Sequence, residues 1–301
     1  MKKYLFGIDG GATKSRIVIS NLDLDIIYQE EGDSSNIYGV GLDKASENLE
    51  RLILSATNHL GIDLKEIKAG CIGGAGMGRS REQELIKQKL KNLNLPLYIC
   101  GDGEILLIGG LGSYSGMSLI AGTGSFCLGR TKNGELFRTG GLGYLLGDEG
   151  SAFWISYQAV KRSLRSIEGR DIKTSMLPYL INFFNLETKE DFIKLCNENM
   201  SKKQMASAAI IVSDFALKGD ELAIDIINSA VNELIVLVSS IVDSSPEFIN
   251  SNIVVSGGVL EKDKLIKPRF QEKLQEKFPN LHLVKKKHEA AYGALMLAKK
   301  I

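Results

Sequence analysis

Short apolar runs and amphipathic helices follow one another in the same order twice along this chain. In the first half, apolar runs bounded by turn residues predict strands at residues 4–8, 16–20, 26–30, 69–72 and 97–100. Apolar side chains also recur at spacings of three and four over residues 42–60, which predicts an amphipathic helix. A second helix is predicted at residues 81–93. The first half therefore has the order β-β-β-α-β-α-β.

The second half repeats this order after a stretch rich in glycine and serine, residues 109–116, which we interpret as an interdomain hinge. Strands are predicted at residues 118–121, 126–130, 135–139, 253–256 and 282–285, and helices at 264–277 and 289–299. A helix-rich insertion is expected at about residues 151–244. The repeat predicts an α/β fold of two doubly wound domains, residues 1–116 and 117–301, facing each other across a cleft, with the C-terminal helix completing the first.

Composition and charge narrow the class of protein. A chain of 301 residues can form two domains with separate cores, and a net charge of +1 gives no reason to expect nucleic acid binding. The N-terminal apolar run ends at Asp9, too early for a signal peptide, and the apolar stretch at residues 234–238 is interpreted as too short to span a bilayer. Four widely spaced cysteines, without a Cys-x-x-Cys, are expected to be buried free thiols. We therefore expect a cytoplasmic protein that does not contact membranes.

Two turns are candidates for phosphate binding. The first, Asp-Gly-Gly-Ala-Thr-Lys at residues 9–14, offers backbone N–H groups and a hydroxyl to a phosphate, and the Asp9 carboxylate would hold Mg²⁺ through water. Alone, such a turn is more often an ordinary hairpin turn. A second turn of the same kind, Ala-Gly-Thr-Gly-Ser at residues 121–125, indicates instead a nucleotide held between two related domains. The residues expected to bind its phosphates are Gly10, Gly11, Thr13, Lys14, Gly122, Thr123 and Gly124.

A glycine-rich block follows at residues 140–155, with the sequence GGLGYLLGDEGSAFWI. This block, together with both hairpins in order, resembles the N-acetylglucosamine kinases of the BadF/BadG-type ATPase family, within the actin/hexokinase/Hsp70 superfamily. The resemblance covers nearly the whole chain. It implies two actin-like (ribonuclease H-like) domains, ATP and Mg²⁺ as cofactors, an N-acetylated amino sugar as substrate, and a homodimer. The chain has no Walker A motif and no Gly-x-Gly-x-x-Gly, which disfavours P-loop and dinucleotide-binding proteins.

Asp102 is the candidate catalytic base. It follows a predicted strand, so its carboxylate should lie at the carboxyl edge of a sheet, where a base could accept the proton of a sugar hydroxyl during phosphoryl transfer. From spacing alone, an Asx-turn that caps a loop is equally compatible with this position. The resemblance implies the catalytic role, with Asp102 contacting the 6-hydroxyl of the sugar.

The resemblance also implies the sugar-binding residues. Asn36, with Ile37, lies in a polar loop whose equivalent binds the sugar in related kinases, although loop polarity alone would explain it. Asp148, and more weakly Glu149, are expected to be bare between Gly147 and Gly150 and to bind sugar hydroxyls. The alternative is that both acids merely favour the N-terminus of the helix that Ser151 caps.

The wall of the sugar site differs from that of animal members of the family. Backbone at Gly141 and Gly143 is expected against the sugar ring, with Leu142 where animal enzymes have tryptophan. Thr139 stands in place of a nearby cysteine, and Ile37 and Tyr38 replace larger residues. A less bulky wall would admit N-acetylmuramic acid as well as N-acetylglucosamine.

On the nucleotide side, the resemblance places the turn at Gly257 and Gly258 against the adenosine, with Ala206 and Ser207 on the other side of the base. Within the class of amino-sugar kinases, a glucosamine kinase is an alternative. Two other classes of protein are also compatible with the sequence. One is an iron–sulfur activator ATPase, whose cysteine signature the four cysteines do not form. The other is a sugar-sensing protein without catalysis, which would have no need of Asp102 or of two intact phosphate hairpins.

Overall fold

A computed structural model describes residues 2–199 and 201–301 of the chain, which divides into two compact units. Unit 1 runs to Ser118 and also contains Arg130–Glu135 and Val284–Ile301; unit 2 contains Leu119–Gly129 and Leu136–Leu283. Met1 and Met200, which fall in the predicted first domain and in the predicted insertion, lie outside the described residues.

Unit 1 is built on a five-stranded sheet in the order β3-β2-β1-β4-β5. Its strands are β1 Tyr4–Gly10, β2 Lys14–Asn21, β3 Ile26–Asp33, β4 Ile67–Gly74 and β5 Leu97–Gly101. Its helices are α1 Ile37–Val40, α2 Leu42–His59, α3 Ser80–Lys89, α4 Asp102–Leu111 and α13 Ala290–Lys299. The apolar face of α2, including Leu49 and Ile53, is fully buried with Phe6, Ile8 and Ile72 of the sheet, as the three-and-four spacing predicted.

Strand direction in this sheet brings three chain segments to one edge. β1 runs antiparallel to β2 but parallel to β4, which in turn runs parallel to β5. Gly10 pairs with Gly74, and Gly74 with Gly101, so the three parallel strands end level with one another. The residues that follow them are therefore neighbours at the carboxyl edge of the sheet.

The predicted hinge at residues 109–116 is wrong in its first part. Residues up to Leu111 belong to α4, and Gly109 and Gly110 are buried within it. A Cβ on Gly109 would meet the Glu289 carbonyl oxygen at 2.6 Å and the Gly293 nitrogen at 2.9 Å. Gly109 lets the backbones of α4 and α13 pack closely. Of the predicted hinge, Gly112 and Gly116, with φ of 59° and 131°, have the backbone conformation of a turn.

Unit 2 contains a second five-stranded sheet, in the order β10-β9-β6-β7-β8. Its strands are β6 Gly116–Ala121, β7 Ser125–Arg130, β8 Leu136–Gly140, β9 Asn252–Ser256 and β10 His282–Leu283, the last shorter than predicted. Its helices are α5 Ala152–Ile167, α6 Met176–Phe183, α7 Asp191–Lys194, α8 Lys202–Ser207, α9 Ala209–Leu217, α10 Glu221–Ser244, α11 Gly258–Glu261 and α12 Ile266–Lys277. Between β8 and β9 the chain is largely helical, as the insertion was expected to be.

The segment Arg130–Glu135 belongs to unit 1, although the sequence placed it in the second domain. Arg130 explains this assignment, because its Nε lies 3.3 Å from a carboxylate oxygen of Glu104 and its guanidinium donates to the Tyr114 carbonyl at 2.5 Å. Burial raises the pKa of Glu104, and the ion pair with Arg130 opposes that rise. The pair therefore holds the segment in unit 1.

Two expectations about apolar residues need correction. The apolar stretch near Leu234 belongs to a 24-residue helix, α10, which is long and apolar enough to cross a membrane. Inside the protein, however, 61% of its most apolar 18-residue window is buried, as in a core helix.

Of the four cysteines, Cys71, Cys100 and Cys127 are buried free thiols, but Cys196 is exposed because it lies in a polar segment.

Candidate active site

Asp9 is the penultimate residue of β1, at the edge where the parallel strands of unit 1 end. Burial, followed by the negative charges of Asp102 and Glu289, raises the pKa of Asp9 to about 6, while Arg16 and Lys286 lower it. A carboxylate whose ionised form is disfavoured in this way is stabilised by any cation brought close to it. Asp9 is therefore suited to a position near a magnesium ion.

Asp102 lies two strands away on the same edge and begins α4, directly after β5. No helix was predicted after this strand, but the structure has a helix N-terminus at Asp102, which favours a negative charge. Its Oδ1 accepts a hydrogen bond of 3.0 Å from the Gly103 backbone N–H. This bond orients a half-buried carboxylate at the position that a base requires, and it is also the local bond that a purely structural role would give.

Asn36 caps the short helix α1, and its Oδ1 accepts a hydrogen bond of 3.1 Å from the Tyr38 N–H. The Ile37 side chain packs against the apolar core of unit 1. Part of this side chain stays accessible, and its place at the sugar site remains a prediction.

Two serines that sequence reasoning did not single out join the Asn36 loop to the first hairpin. The Ser34 hydroxyl lies 3.2 Å from the Gly11 carbonyl oxygen and 3.0 Å from that of Ala12. The buried hydroxyls of Ser35 and Ser15 are 2.9 Å apart. The position of the predicted sugar loop is thus tied to the position of the predicted phosphate hairpin.

A further loop missed at the level of sequence, residues 75–78, lies between Asn36 and the end of β5. The Ala75 N–H donates to the Gly10 carbonyl at 2.8 Å. Gly76 has a φ of 83°, and a Cβ there would meet Asn36 Oδ1 at 3.1 Å. A Cβ on Gly101 would meet the Cα of Gly78 at 3.1 Å. The signal in the sequence was the glycine-rich run 73–78 that follows β4.

The first hairpin has the tight turn that the sequence predicted. The Gly11 N–H donates to the Lys14 carbonyl at 3.0 Å, and Thr13 is exposed at the tip. The Lys14 ammonium lies 2.6 Å from a carboxylate oxygen of Glu31, and both side chains are exposed. Because exposed ion pairs contribute little, the Glu31 contact is a weak competitor for a phosphate at Lys14.

The second hairpin lies in unit 2 and packs against the glycine turn after β9. Within the hairpin, the Gly122 N–H donates to the Gly124 carbonyl at 2.9 Å, while the Gly122 carbonyl accepts from Ala152 N–H at 2.8 Å. Gly257 has a φ of 100°, and a Cβ on it would lie 2.7 Å from the Gly122 nitrogen. Only glycine fits this approach, so the backbones of Gly122 and Gly257 lie directly against each other.

A cavity of about 620 Å³ opens beside this hairpin, within the size range of small-molecule sites. It brings together five residues that were predicted on the nucleotide side: Gly122, Thr123, Ala206, Ser207 and Gly258. Its apolar lining includes Ile155, Ala206, Ile210 and Val259, and its charged lining includes Lys203, Asp214, Lys262 and Asp263. An apolar cavity with a phosphate-type hairpin in its wall has the chemistry required to bind a nucleotide.

Asp148 is not bare, contrary to the sequence prediction. Asp148 is only 3% exposed and has a φ of 60°. One carboxylate oxygen accepts from the Ser125 N–H at 3.2 Å, and the other lies 2.6 Å from the Lys202 ammonium. The flanking glycines turn the chain inward rather than exposing the acid, and a buried charge needs a partner. No signal in the sequence identified Lys202 as that partner.

The residue after Asp148 is fixed through its backbone. The Glu149 carbonyl accepts a hydrogen bond of 2.6 Å from the Ser125 hydroxyl. Ser151 caps α5, as predicted, by accepting from the Trp154 N–H at 3.2 Å. The acidic pair and the second hairpin therefore form one hydrogen-bonded assembly in unit 2.

The loop at residues 140–147 begins beside the same hairpin. The Gly141 N–H donates to the Ser125 carbonyl at 3.0 Å, and Gly141 and Gly143 have φ of 68° and 88°. The Leu142 side chain is 61% exposed. Arg138 stacks 4.4 Å over the Phe126 ring, with a guanidinium nitrogen 3.5 Å from the Gly141 carbonyl oxygen. The loop thus presents backbone, one apolar side chain and a nearby cation.

The described residues contain no group of three or more histidine, cysteine, aspartate or glutamate side chains that could enclose a metal ion. Two of the three histidines stack on tyrosines, His59 on Tyr28 and His288 on Tyr292. Mg²⁺ in phosphoryl-transfer sites usually keeps several waters and takes its other ligands from one or two carboxylates and the phosphates. Asp9 fits that water-mediated role.

Known proteins resemble this chain along nearly its whole length. Residues 6–298 match the model of the BadF/BadG/BcrA/BcrD ATPase family. The chain is 32% identical over 302 residues to the N-acetylmuramic acid/N-acetylglucosamine kinase of Clostridium acetobutylicum, covering 99% of this chain and 98% of that protein. It is 28% identical over 315 residues to the N-acetyl-D-glucosamine kinase of Dictyostelium discoideum, with the same coverage.

The fold is also found among solved structures. A protein from Chromobacterium violaceum, assigned as an N-acetylglucosamine kinase, superposes with a TM-score of 0.77 at 22% identity and covers 99% of each chain. The two-domain actin-like fold that the family resemblance implied is confirmed by this likeness and by the two five-stranded sheets.

Proposed function

The chain belongs to the BadF/BadG/BcrA/BcrD ATPase family, and from that premise we propose that it transfers the γ-phosphoryl group of ATP to the 6-hydroxyl of an N-acetylated amino sugar. The observation that carries this proposal is the apolar cavity in unit 2 that ends at the second phosphate hairpin, in a chain that matches amino-sugar kinases along its whole length. The reaction would serve the recovery of amino sugars.

ATP is proposed to bind with its adenosine in this cavity. Ser207 and Gly258 line it, and Gly257 supports the hairpin from outside. Gly122, Thr123 and Gly124, together with Gly10, Gly11, Thr13 and Lys14 of the first hairpin, would hold the phosphates. Mg²⁺, oriented by Asp9 through water, would neutralise charge on the phosphates as the O–P bond to ADP breaks.

Asp102 is proposed to accept the proton of the sugar hydroxyl as its oxygen bonds to phosphorus. In a loose phosphoryl-transfer transition state the protein contributes mainly position and electrostatic stabilisation. A carboxylate within hydrogen-bond reach orients the hydroxyl and takes its proton late in the transfer. The two sets of residues belong to different units, Asp102 to unit 1 and the cavity to unit 2, so the reaction requires both.

The sugar is proposed to contact Asn36 and the backbone of Gly141, Leu142 and Gly143. Asp148 stays a proposed sugar ligand despite its burial. A carboxylate has about four acceptor positions, and the hydrogen bonds from Ser125 and Lys202 use two of them. A hydroxyl at the edge of this buried carboxylate would bind strongly because the carboxylate is already held in place.

N-acetylglucosamine is the proposed preferred substrate, with N-acetylmuramic acid as a second. The second sugar carries a lactyl carboxylate on O3, and it is a named substrate of the Clostridium acetobutylicum relative. Arg138, beside the Gly141 carbonyl, supplies a cation next to the loop proposed to contact the sugar. The exposed Leu142 provides an apolar surface without the bulk of a tryptophan.

A panel of sugars tests this proposal. Release of ADP would be measured with N-acetylglucosamine, N-acetylmuramic acid, N-acetylmannosamine, glucosamine and glucose, with Arg138→Met as a second enzyme. We expect kcat/KM for N-acetylglucosamine to exceed that for glucose by about 100-fold or more. Glucose lacks the acetamido group, so the polar groups of the protein that bind this group would be left unpaired. Arg138→Met should lower kcat/KM for N-acetylmuramic acid alone. Activity confined to glucosamine would show that glucosamine, and not an N-acetylated sugar, is the substrate. No turnover of any sugar would indicate a sensing protein.

Location and assembly are also proposed on the basis of family resemblance. We place the enzyme in the cytoplasm, as a homodimer that contacts neither nucleic acid nor membranes. Light scattering on the purified full chain would measure the assembly, since a monomer has a mass of 32.9 kDa.

A further inference from the structure

Lys202 is the first residue of α8, in the helical insertion of unit 2. Ser201 caps this helix by accepting a hydrogen bond from the Gln204 N–H at 3.1 Å. The Lys202 side chain is 34% exposed, while its partner carboxylate on Asp148 is only 4% exposed. One end of the ion pair is thus fixed in the interior and the other reaches toward solvent.

The ammonium group also lies against the second phosphate hairpin. A Cβ built on Gly124 would meet Lys202 Nζ at 2.8 Å and the Asp148 carboxylate oxygens at 2.8 and 2.9 Å. Gly124 is therefore the residue that allows a cation to sit directly beside the turn. Thr123, its neighbour in the hairpin, lines the nucleotide cavity.

The bonding capacity of Lys202 is not filled. An ammonium has three N–H donors, and within the described part of the chain the one recorded acceptor for them is Asp148. Lys202 is followed in α8 by three residues that line the nucleotide cavity, Lys203, Ala206 and Ser207. Two donors of a positively charged group are therefore left beside a hairpin built to bind anionic oxygens.

We propose that Lys202 binds the terminal phosphates of the nucleotide, with Asp148 holding its ammonium in position. This inference rests on the proposed function, because it concerns the same nucleotide site. A lysine at this point adds a full positive charge where the backbone of a glycine turn offers only partial ones. It would stabilise the charge that spreads over the phosphoryl oxygens during transfer.

The competing interpretation is that Lys202 serves only as a counter-ion for the buried Asp148. Both interpretations predict that loss of Lys202 harms the protein, since an unpaired buried carboxylate is costly. They differ in which ligand is affected. A phosphate-binding lysine affects nucleotides with terminal phosphates and leaves adenosine alone, whereas a counter-ion affects folding and all ligands alike.

Calorimetric titration separates the two. Adenosine, ADP and a non-hydrolysable ATP analogue, each with Mg²⁺, would be titrated into the wild-type protein, Lys202→Met, Lys202→Arg and the double variant Asp148→Asn/Lys202→Met. The double variant removes the unpaired charge while keeping an oxygen that can accept from Ser125, and so keeps the test valid if Lys202→Met does not fold. Lys161→Met, at an exposed lysine of α5 in the same unit, is the matched control.

We expect Lys202→Met and the double variant to bind the ATP analogue about 10- to 100-fold more weakly, as for loss of a charged hydrogen bond. Adenosine should bind within about twofold of wild type, Lys202→Arg should recover part of the loss, and Lys161→Met should match wild type. Equal weakening of adenosine and the ATP analogue, or an unchanged affinity for the analogue in the double variant, would overturn the inference. If the wild-type protein bound neither adenosine nor the ATP analogue, the proposed function itself would fail.

Discussion

At the scale of single residues, three aspartates differ in how their charge is balanced. Asp9 has neighbouring acids and a raised pKa, Asp102 begins a helix, and Asp148 is buried against Lys202. These surroundings suit three different tasks. A buried carboxylate with a raised pKa suits a metal, one at a helix N-terminus suits a base, and one held by an ammonium and a backbone N–H suits the positioning of a neighbour.

Replacing Asp102 by asparagine tests the proposed base. The amide keeps the shape of the carboxylate and can still accept from the Gly103 N–H, but it cannot take the sugar proton. We expect kcat to fall by about 10²- to 10⁴-fold, with the Kd for N-acetylglucosamine nearly unchanged in titration calorimetry. Near-normal turnover would show that Asp102 has only a structural role at the start of α4.

Replacing Asp9 by asparagine should stabilise the protein while removing activity. The pKa of Asp9 is about 6 in the folded chain and 3.8 ordinarily, so the folded state binds the proton more tightly. Ionised Asp9 therefore costs stability above pH 6, and that cost disappears as the pH falls below about 4. At pH 7.5, in EDTA, the variant should unfold with a free energy about 1–3 kcal/mol higher than wild type.

Urea unfolding at pH 7.5 and at pH 4 would measure this difference. The gain should be present at the higher pH and nearly absent at the lower one, since wild-type Asp9 is then protonated in the folded chain. A gain of equal size at both values would assign the effect to packing, and no gain at pH 7.5 would show that burial does not disfavour the charge.

At the scale of elements, glycines fix how close two segments approach. In unit 1, α4 and α13 contact each other through Gly109 and Gly293, which is why a run that looks like a flexible linker forms part of a buried helix. In unit 2, Gly257 allows the turn after β9 to touch the second hairpin. Close backbone packing in both places positions segments that carry the site.

Replacing Gly293 by alanine should therefore destabilise unit 1. The added methyl would lie 2.6 Å from the Gly109 nitrogen, in contact with backbone that cannot rotate away. We expect a loss of about 1–3 kcal/mol or more, measured as a lower midpoint in thermal unfolding. Gly39→Ala is the control, since the atoms nearest to its methyl would be those of the Asn36 side chain, at an ordinary contact distance of 3.6–3.7 Å. Equal midpoints for the two variants would contradict the packing explanation.

At the scale of the whole molecule, the proposed chemistry depends on residues from both units. Asp9, Asp102 and Asn36 belong to unit 1, and the nucleotide cavity belongs to unit 2. Kinases usually shield the transferred phosphoryl group from water until the acceptor hydroxyl is present, and this limits hydrolysis of ATP.

We accordingly expect ATP hydrolysis to be slow without sugar. Release of ADP would be compared with and without saturating N-acetylglucosamine, and the sugar should accelerate it by about 100-fold or more. 6-Deoxy-N-acetylglucosamine, which lacks the acceptor hydroxyl, serves as the control for contamination and for simple hydrolysis. Fast release of ADP without any sugar would favour an ATPase over a kinase.

The sequence by itself determined most of the elements, though not α4, together with the two hairpins and the class of enzyme. Each of these depends on local information: side-chain period sets strand or helix, and glycine with threonine between two strands sets a phosphate turn. The family match then followed from a block of consecutive residues, 140–155, that can be recognised without knowing any contact. Asp102 was placed at its sheet edge for the same reason, because it directly follows a strand.

Only the tertiary structure decided what each of several polar and glycine residues does. Asp148 was expected to be bare and is buried, because its partner Lys202 is 54 residues away and nothing local identifies it. Gly109 was expected in a hinge and lies in a helix, because its role depends on α13, at the far end of the chain. Ser34 and the loop 75–78 gained their roles in the same way. Burial and ion pairing are properties of residues brought together from distant parts of the chain, so they are fixed only when the chain is folded.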